Sequence, residues 1–295
     1  MPSDTATLRN ISDTALWTAI YRAEETARKD ALFRDPLAAR LAGERGRGIR
    51  DHLPRRSQHA WPFVTRTYLF DDFIMDAVRQ GADLVLNLAA GLDTRPYRMA
   101  LPSSLQWIEV DLPELLAYKE DLLKGEKPKC ALERMRVDLS DRVSRQELFS
   151  IVELRAKRAL VITEGLLIYL SPEQVADFAD DLSKPPAFGR WLIDLASPGL
   201  IKMLQRQIGS QLGAANAPMK FGPEEGVDFF RSHGWQPVEV RSMLKTAAKI
   251  KRLPLGMRLI ALLPEPPRPG QRPWSGVCLL ERFDSAQRGR HDTRA

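Results

Sequence analysis

An apolar run, Leu84-Val85-Leu86-Asn87-Leu88, stops at the small-residue turn Ala89-Ala90-Gly91 and is charged at once in Leu92-Asp93-Thr94-Arg95. A strand that ends in such a turn can cradle a small ligand, because open α/β sheets bind their ligands just beyond the carboxyl ends of the strands. Phosphate-cradling loops need several glycines so that the backbone can approach closely. This loop holds Gly91 alone, with Leu92 and the carboxylate of Asp93 where a dinucleotide motif wants its later glycines. A negative side chain there repels a pyrophosphate and tolerates a compact ligand that carries an ammonium and a sulfonium. The turn therefore disfavours a nicotinamide dinucleotide and favours S-adenosylmethionine.

Three further run ends carry matching residue types. Leu105 to Asp111 closes on a carboxylate about 20 residues past the glycine, the spacing at which an acid reaches the two hydroxyls of a cofactor ribose. Asp111 is the expected ribose ligand, and it can equally cap the helix that opens at Pro113. In Arg136-Val137-Asp138-Leu139, Asp138 can accept from an adenine amino group while Leu139 covers the ring. Val161-Ile162-Thr163-Glu164 places Glu164 at the mouth of the same crevice.

These residues resemble the leucine carboxyl methyltransferase family, and within it the bacterial branch of polyketide-type O-methyltransferases. The resemblance rests on Leu86 to Arg95, Glu109-Val110-Asp111, Asp138-Leu139 and Thr163-Glu164-Gly165-Leu166-Leu167-Ile168-Tyr169-Leu170. Ser12 to Ala15, Tyr21 to Glu24, Asp35 to Ala38 and Thr65-Arg66-Thr67 extend it over roughly residues 10 to 240. It implies that S-adenosylmethionine is the cofactor and that Arg66 binds the methionine carboxylate, with Arg22 as a second cation. Ala89 and Gly91 would line the methionine, Asp111 the ribose, Asp138 and Leu139 the adenine, and Glu164 the ammonium. Family members often have Gly-Ala-Gly where this chain has Ala89-Ala90-Gly91, and the extra methyl at Ala89 is expected to be a small change. The competing expectation for Arg66 is an ion pair with Asp71 or Asp72 on its own helix.

The elements that must position this site follow from periodicity. Helical patterns fill the first 80 residues, through Leu16, Ile20 and Ala23, then Leu37, Ala38 and Leu41, then Thr67 to Gln80. From Asp83 onward short apolar runs predict strands at 83–89, 105–111, 133–138, 159–164 and 190–196, separated by helices near 95–100, 113–124, 144–155 and 172–184. Leu200 to Gly213 reads as a helix, Glu224 to Phe230 as a shorter one, and strands near 236–241 and 275–283 close the pattern around the loop Pro264 to Pro273. The fold class is α/β, a Rossmann-like, doubly wound and mostly parallel sheet with an antiparallel late strand and an N-terminal helical cap. The expected division is a cap at 1–80, a cofactor-binding domain at 81–284 with a helical insertion near 198–230, and a disordered tail at 285–295.

With 295 residues, 44% hydrophobic and 28% charged, the chain can bury a sizeable core. No window suits a spanning helix and no apolar leader opens the chain, so a cytoplasmic protein without a membrane partner is expected. Cys130 and Cys278 make no metal or disulfide spacing and read as reduced, packed thiols; His52 and His59 have no acid cluster, so no metal is expected. The net charge of +6 includes a basic run from Arg45 to Arg56, expected as a solvated mobile loop or a lid, and a basic tail at 288–294. Neither run interleaves aromatic residues, so nucleic acid is not the expected partner.

The expected activity is transfer of a methyl group to the carboxylate or hydroxyl of a small metabolite. The alternatives are a noncatalytic S-adenosylmethionine-binding protein and an RNA-directed methyltransferase. A carboxylate acceptor needs no base, whereas an alcohol does, and Tyr21, Tyr68, His52 and His59 are the candidates. Met203, Leu204, Ile208, Leu212, Met219 and Phe221 are expected to line or cover an apolar acceptor pocket.

Overall fold

A computed structural model describes residues 11–51, 56–214, 218–265 and 270–283. Three helices come first: α1 (Ile11–Ala27), α2 (Ala38–Asp51) and α3 (Arg56–Arg79). Strands and helices then alternate as β1 (Leu84–Leu88), α4 (Arg95–Arg98), β2 (Gln106–Asp111), α5 (Pro113–Leu122), β3 (Ala131–Arg136), α6 (Arg142–Glu153), β4 (Ala159–Thr163), α7 (Pro172–Ser183) and β5 (Phe188–Ala196). The last third contributes α8 (Pro198–Ala214), β6 (Trp235–Ser242), α9 (Met243–Lys249), α10 (Arg258–Ala261) and β7 (Ser275–Arg282). The strands form one sheet in the order β3-β2-β1-β4-β5-β7-β6. β1 to β5 pair in parallel, and β7 runs antiparallel to both β5 and β6. Every expected strand is present, and the antiparallel late strand is β7, which inserts between β5 and the edge strand β6.

Both faces of the sheet are covered, which is why its central strands read as continuous apolar runs. Leu84, Leu86, Leu88, Ile108, Val110, Val161 and Trp191 face a core shared with α6 and α7. Val85, Trp107, Leu160, Ile162 and Leu192 face the opposite way, onto Leu69, Phe70, Phe73, Ile74 and Ala77 of α3. The third N-terminal helix is therefore a structural layer of the sheet, while α1 and α2 build a separate cluster over the sheet edge from Leu16, Trp17, Ile20, Tyr21 and Leu41.

The basic run from Arg45 onward is a correction to the expected mobile loop. Arg45 to Asp51 are the last turns of α2, and Arg56 already belongs to α3; residues 52–55, with His52, lie outside the described residues. Gly46 explains the helix. A Cβ there would lie 3.0 Å from the Ala42 Cβ and 3.1 Å from the Leu16 carbonyl oxygen, so glycine permits α2 to lie directly on α1. The arginines then occupy the outer face of a packed helix, with Arg50 Nη1 2.7 Å from Glu24.

Between β2 and α5 the structure buries a charged pair. Lys119 Nζ lies 2.8 Å from Glu109 Oε1, both side chains are fully inaccessible, and Arg134 Nε takes the other Glu109 oxygen at 2.9 Å. Glu109→Ala strands a buried ammonium, so we expect urea denaturation to show a loss of about 3–5 kcal/mol. A loss below about 1 kcal/mol would show that the pair is not holding α5 against the sheet.

Candidate functional site

The chain runs β1, β2, β3 outward in one direction and β4, β5 in the other, so the sheet reverses its order between β1 and β4. A crevice opens at the carboxyl ends of strands at such a point. Four neighbouring strand ends deliver Ala89 and Gly91 after β1, Asp111 at the end of β2, Glu164 after β4 and Asp194 on β5. Ala15 of α1 closes over them, since a Cβ on Gly91 would sit 3.5 Å from the Ala15 Cβ.

The loop itself is held by backbone chemistry. The Ala90 N–H donates to the Val110 carbonyl at 3.0 Å, and the Gly91 N–H donates to Asp111 Oδ2 at 2.6 Å. Asp111 Oδ1 accepts from the Leu112 N–H at 2.8 Å, which fixes the carboxylate in the crevice. Burial pushes its pKa up, against the pull of those two N–H groups and Lys119. A carboxylate oxygen accepts more than one hydrogen bond, so Asp111 retains capacity for the two hydroxyls of a ribose.

Ala89 adopts φ 54°, the left-handed region, and is one of two non-glycine residues with positive φ among those described. The methyl expected to be a small change therefore strains the loop's first residue, by about 1–2 kcal/mol.

Asp93 differs from its expected part. Its carboxylate does not face a ligand; it accepts from Asn87 Nδ2 at 2.8 Å, from the Arg95 N–H at 2.8 Å and from Arg95 Nη1 at 3.0 Å. Burial alone would raise this carboxyl, but Arg95 and Lys119 outweigh it and hold its pKa down at about 2. Arg95 is the centre of the arrangement. Its side chain, 4% exposed, also reaches Asp71 at 2.7 Å and Glu164 at 2.8 Å, and Arg98 shares Asp71 at 2.6 Å.

Arg66 meets neither Asp71 nor Asp72, the pairing weighed from the sequence. Its Nε lies 3.0 Å from Glu164 Oε1 and its Nη1 3.0 Å from Asp194 Oδ2. Asp194 also accepts from the Gly165 N–H at 2.6 Å. Gly165 has φ +69°, and a Cβ on it would fall 2.9 Å from Arg66 Nη1, so only glycine leaves the guanidinium its seat. In this ion-pair network Asp71, Asp93, Glu164 and Asp194 oppose Arg66, Arg95 and Arg98, an excess of one acid, and the Asp111 carboxylate stands in the same crevice. That excess suits a ligand with one carboxylate and two cationic centres. It comes from Glu164 and Asp194, whereas the sequence pointed to Asp93.

The other expected residues stand as follows. Arg22 is 8% exposed and committed to Asp35 Oδ2 at 2.8 Å and to the Leu92 carbonyl at 2.6 Å, so it is a strut between α1 and the loop. Asp138 follows β3 at the same sheet edge, is exposed, and accepts from the Ser140 N–H at 2.9 Å and its hydroxyl at 2.7 Å. Leu139 is partly buried against the main core. The strand-end reading does not reach Asp194 or Arg95, and it offers Asp71 only as a partner for Arg66, whereas Asp71 pairs with Arg95 and Arg98. The signal for Asp194 was an acid inside the apolar run Trp191-Leu192-Ile193-Asp194-Leu195-Ala196. Among the described residues no cluster of acids, histidines and cysteines could hold a metal ion, and Cys130 and Cys278 are buried free thiols.

The crevice fits S-adenosylmethionine on three observations: a glycine seat beside Arg66, a carboxylate fixed to the loop by the Gly91 N–H, and an excess of acids of matching sign. The comparisons agree. The model of the leucine carboxyl methyltransferase family matches residues 15–183. A relative from Frankia alni, named for S-adenosyl-L-methionine-dependent methyl transfer, is 33% identical over 234 residues, covering 76% of this chain and 82% of that protein. One from Streptomyces coelicolor with the same class name is 33% identical over 237 residues with the same coverage. In fold, a Thermobifida fusca protein described as a methyltransferase superposes with TM-score 0.53 at 17% identity, covering 96% of this chain and 97% of that one.

Three measurements check the site. Calorimetry should show Arg66→Ala binding S-adenosylhomocysteine at least about tenfold more weakly, with adenosine binding unchanged, whereas Asp111→Ala weakens both; equal losses for both ligands in Arg66→Ala contradict the methionine-end placement. Ala89→Gly should raise stability by about 1 kcal/mol through relief of the positive φ, and a lower melting temperature would contradict that. Asp93 has a folded pKa below its unfolded value, so its contribution of about 2 kcal/mol is complete above pH ~4 and is lost as pH falls toward ~2. Asp93→Asn should be less stable at neutral pH and lose less stability across that window; an unchanged acid limb would refute the assignment. By its loop, its crevice and its relatives, this chain belongs to the leucine carboxyl methyltransferase family and is an S-adenosyl-L-methionine-dependent methyltransferase.

Proposed function

We propose that the enzyme methylates an oxygen of a small, largely apolar metabolite, and that the oxygen belongs to a carboxylate. Bound S-adenosylmethionine supplies an electrophilic methyl group on a sulfonium. The chain's own task is to hold the acceptor oxygen in line with that methyl and to exclude water.

The observation that carries this reading is that the acids of the ion-pair network are already engaged. The crevice carboxylates Asp93, Glu164 and Asp194 are each bound to arginine, and burial pushes the phenols of Tyr21 and Tyr169 up, so both stay protonated. Tyr68 packs with the core between α3 and the sheet. His52 and the side chain of His59 lie outside what is described. Apart from Asp111, which this reading assigns to the ribose, the acids named here are held by arginine and both phenols stay protonated, an arrangement that suits an acceptor already anionic at neutral pH.

Under the cap, among the described residues, Thr65 Oγ1 is buried with no hydrogen-bond partner, and Trp17 and Tyr21 are buried with no side-chain partner but each other. Buried polar groups are seldom left so, and the non-reacting oxygen of a carboxylate would satisfy one or two of them. Trp17 and Tyr21 pack on Phe63 with ring centroids 5.0 and 5.1 Å away, and Arg66 lies over the same Phe63 ring at 5.7 Å. The aromatic cluster thus adjoins the methionine end of the crevice. Of the residues expected to cover the acceptor, Met219 and Leu204 join this cap cluster, while Phe221 is buried in the main core on the other side. The side chains of Ile208 and Leu212 lie outside what is described.

The test is methyl transfer from labelled S-adenosylmethionine to panels of apolar carboxylic acids, phenols and alcohols across pH. A carboxylate acceptor predicts a rate that is flat from pH ~6 to ~9, because no proton is removed. Tyr21→Phe should raise KM several-fold with kcat nearly unchanged. Turnover of phenols alone, with a rising alkaline limb that Tyr21→Phe abolishes, would overturn the reading.

A further inference from the structure

The segment after β6 presents the most exposed apolar surface of the described chain. Leu255, Leu259, Ile260, Leu262 and Leu263 are 76%, 75%, 51%, 79% and 61% exposed within nine residues. Soluble surfaces scatter such residues singly, and a contiguous group marks a contact. The same segment is one-signed. From Met243 to Pro264 it holds Lys245, Lys249, Lys251, Arg252 and Arg258 and not one Asp or Glu. All of these cations except Arg252 are exposed.

The underside is anchored. Ala247, Leu253 and Ala261 are buried against Trp61, Leu244 and Met257. Arg252 turns inward to Glu25 of α1, at 2.7 Å, and to Asp30, at 3.0 Å. The leucines therefore stand on the outer side of an element fixed to the cap.

We infer that this tip seats the enzyme on an anionic lipid surface, with the leucines in the headgroup–acyl boundary and the lysines against the lipid charge. Three observations favour a bilayer over other occupants. Residues that keep more than half of their surface form a convex tip, and a bilayer needs no groove to receive it. A two-fold contact with a second copy would set eight exposed cations against one another, at a cost in like-charge repulsion. The combination of protruding large apolar side chains, flanking Lys and Arg and absent acids is what binds anionic interfaces. This departs from the expectation of no membrane partner, although no described helix is long and apolar enough to cross a membrane. The placement also has a consequence for the site. β6 runs parallel to β5, so α9 emerges at the sheet edge that carries the crevice, and Trp61 beneath the tip lies five residues before Arg66 on α3. Docking would turn the acceptor side of the enzyme toward the lipid.

Vesicle flotation of the full chain tests the inference without reference to catalysis. The protein should float with vesicles of phosphatidylcholine plus phosphatidylglycerol and much less with phosphatidylcholine alone, and high salt should release it. Leu259→Glu/Leu262→Glu and, separately, Lys249→Glu/Lys251→Glu should each reduce partitioning at least about tenfold. Leu154→Glu, at a leucine 89% exposed just after α6, should not. No flotation with anionic vesicles, equal flotation of the paired variants, or a vesicle-independent dimer that Leu259→Glu/Leu262→Glu dissociates would each overturn it.

Discussion

The crevice depends on one buried guanidinium, that of Arg95. It touches Asp93 on its own loop, Asp71 on α3 and Glu164 after β4, so a single side chain ties the cofactor loop, the helical layer behind the sheet and the neighbouring strand end into one rigid unit. Such a charge is tolerable inside a protein only when its partners are complete. The partners are complete, and the last of them, Glu164, is shared outward with Arg66. Structure passes into function at that shared carboxylate. Arg95 fixes Glu164 from behind, and the side facing the crevice is left to exchange one cation for another.

An exchange of cations at Glu164 would preorganise the site for a zwitterion. We propose that the ligand ammonium takes Glu164 and the ligand carboxylate takes Arg66, the cation that pairs with Glu164 in this structure. Asp194 holds the other edge of the guanidinium and the Gly165 N–H, so Arg66 can turn without leaving the crevice. Exchanging one ion pair for two avoids stranding a buried charge at either stage, which is the main electrostatic penalty of such sites. The same economy keeps Asp93, Glu164 and Asp194 engaged with arginine rather than available as bases, and this is why the acceptor is read as an anion.

Much of this was legible in the residues. Apolar runs buried on both faces gave the central strands, and strand ends gave Ala89, Gly91, Asp111 and Glu164, because the parallel strands of a sheet end at one edge. What periodicity could not show was direction and partner. Asp93 reads as a ligand-facing acid, but Arg95 two residues later folds it inward, and a turn's side-chain orientation is invisible in a linear pattern. The basic run from Arg45 to Asp51 reads as a loop because its glycines lower helix propensity and its charges suit a solvated segment; packing of Gly46 on Leu16 overrides that. Insertion of β7 between β5 and β6 is likewise a tertiary choice, since an edge pair in chain order has the same local sequence.

A crystal structure with S-adenosylhomocysteine bound decides whether Glu164 exchanges its cation. Arg66 should leave Glu164 for the ligand carboxylate while keeping Asp194, the ligand ammonium should sit on Glu164, and the Arg95 contacts should not move. An Arg66–Glu164 pair that persists with the ligand's amino acid end bound elsewhere would contradict it.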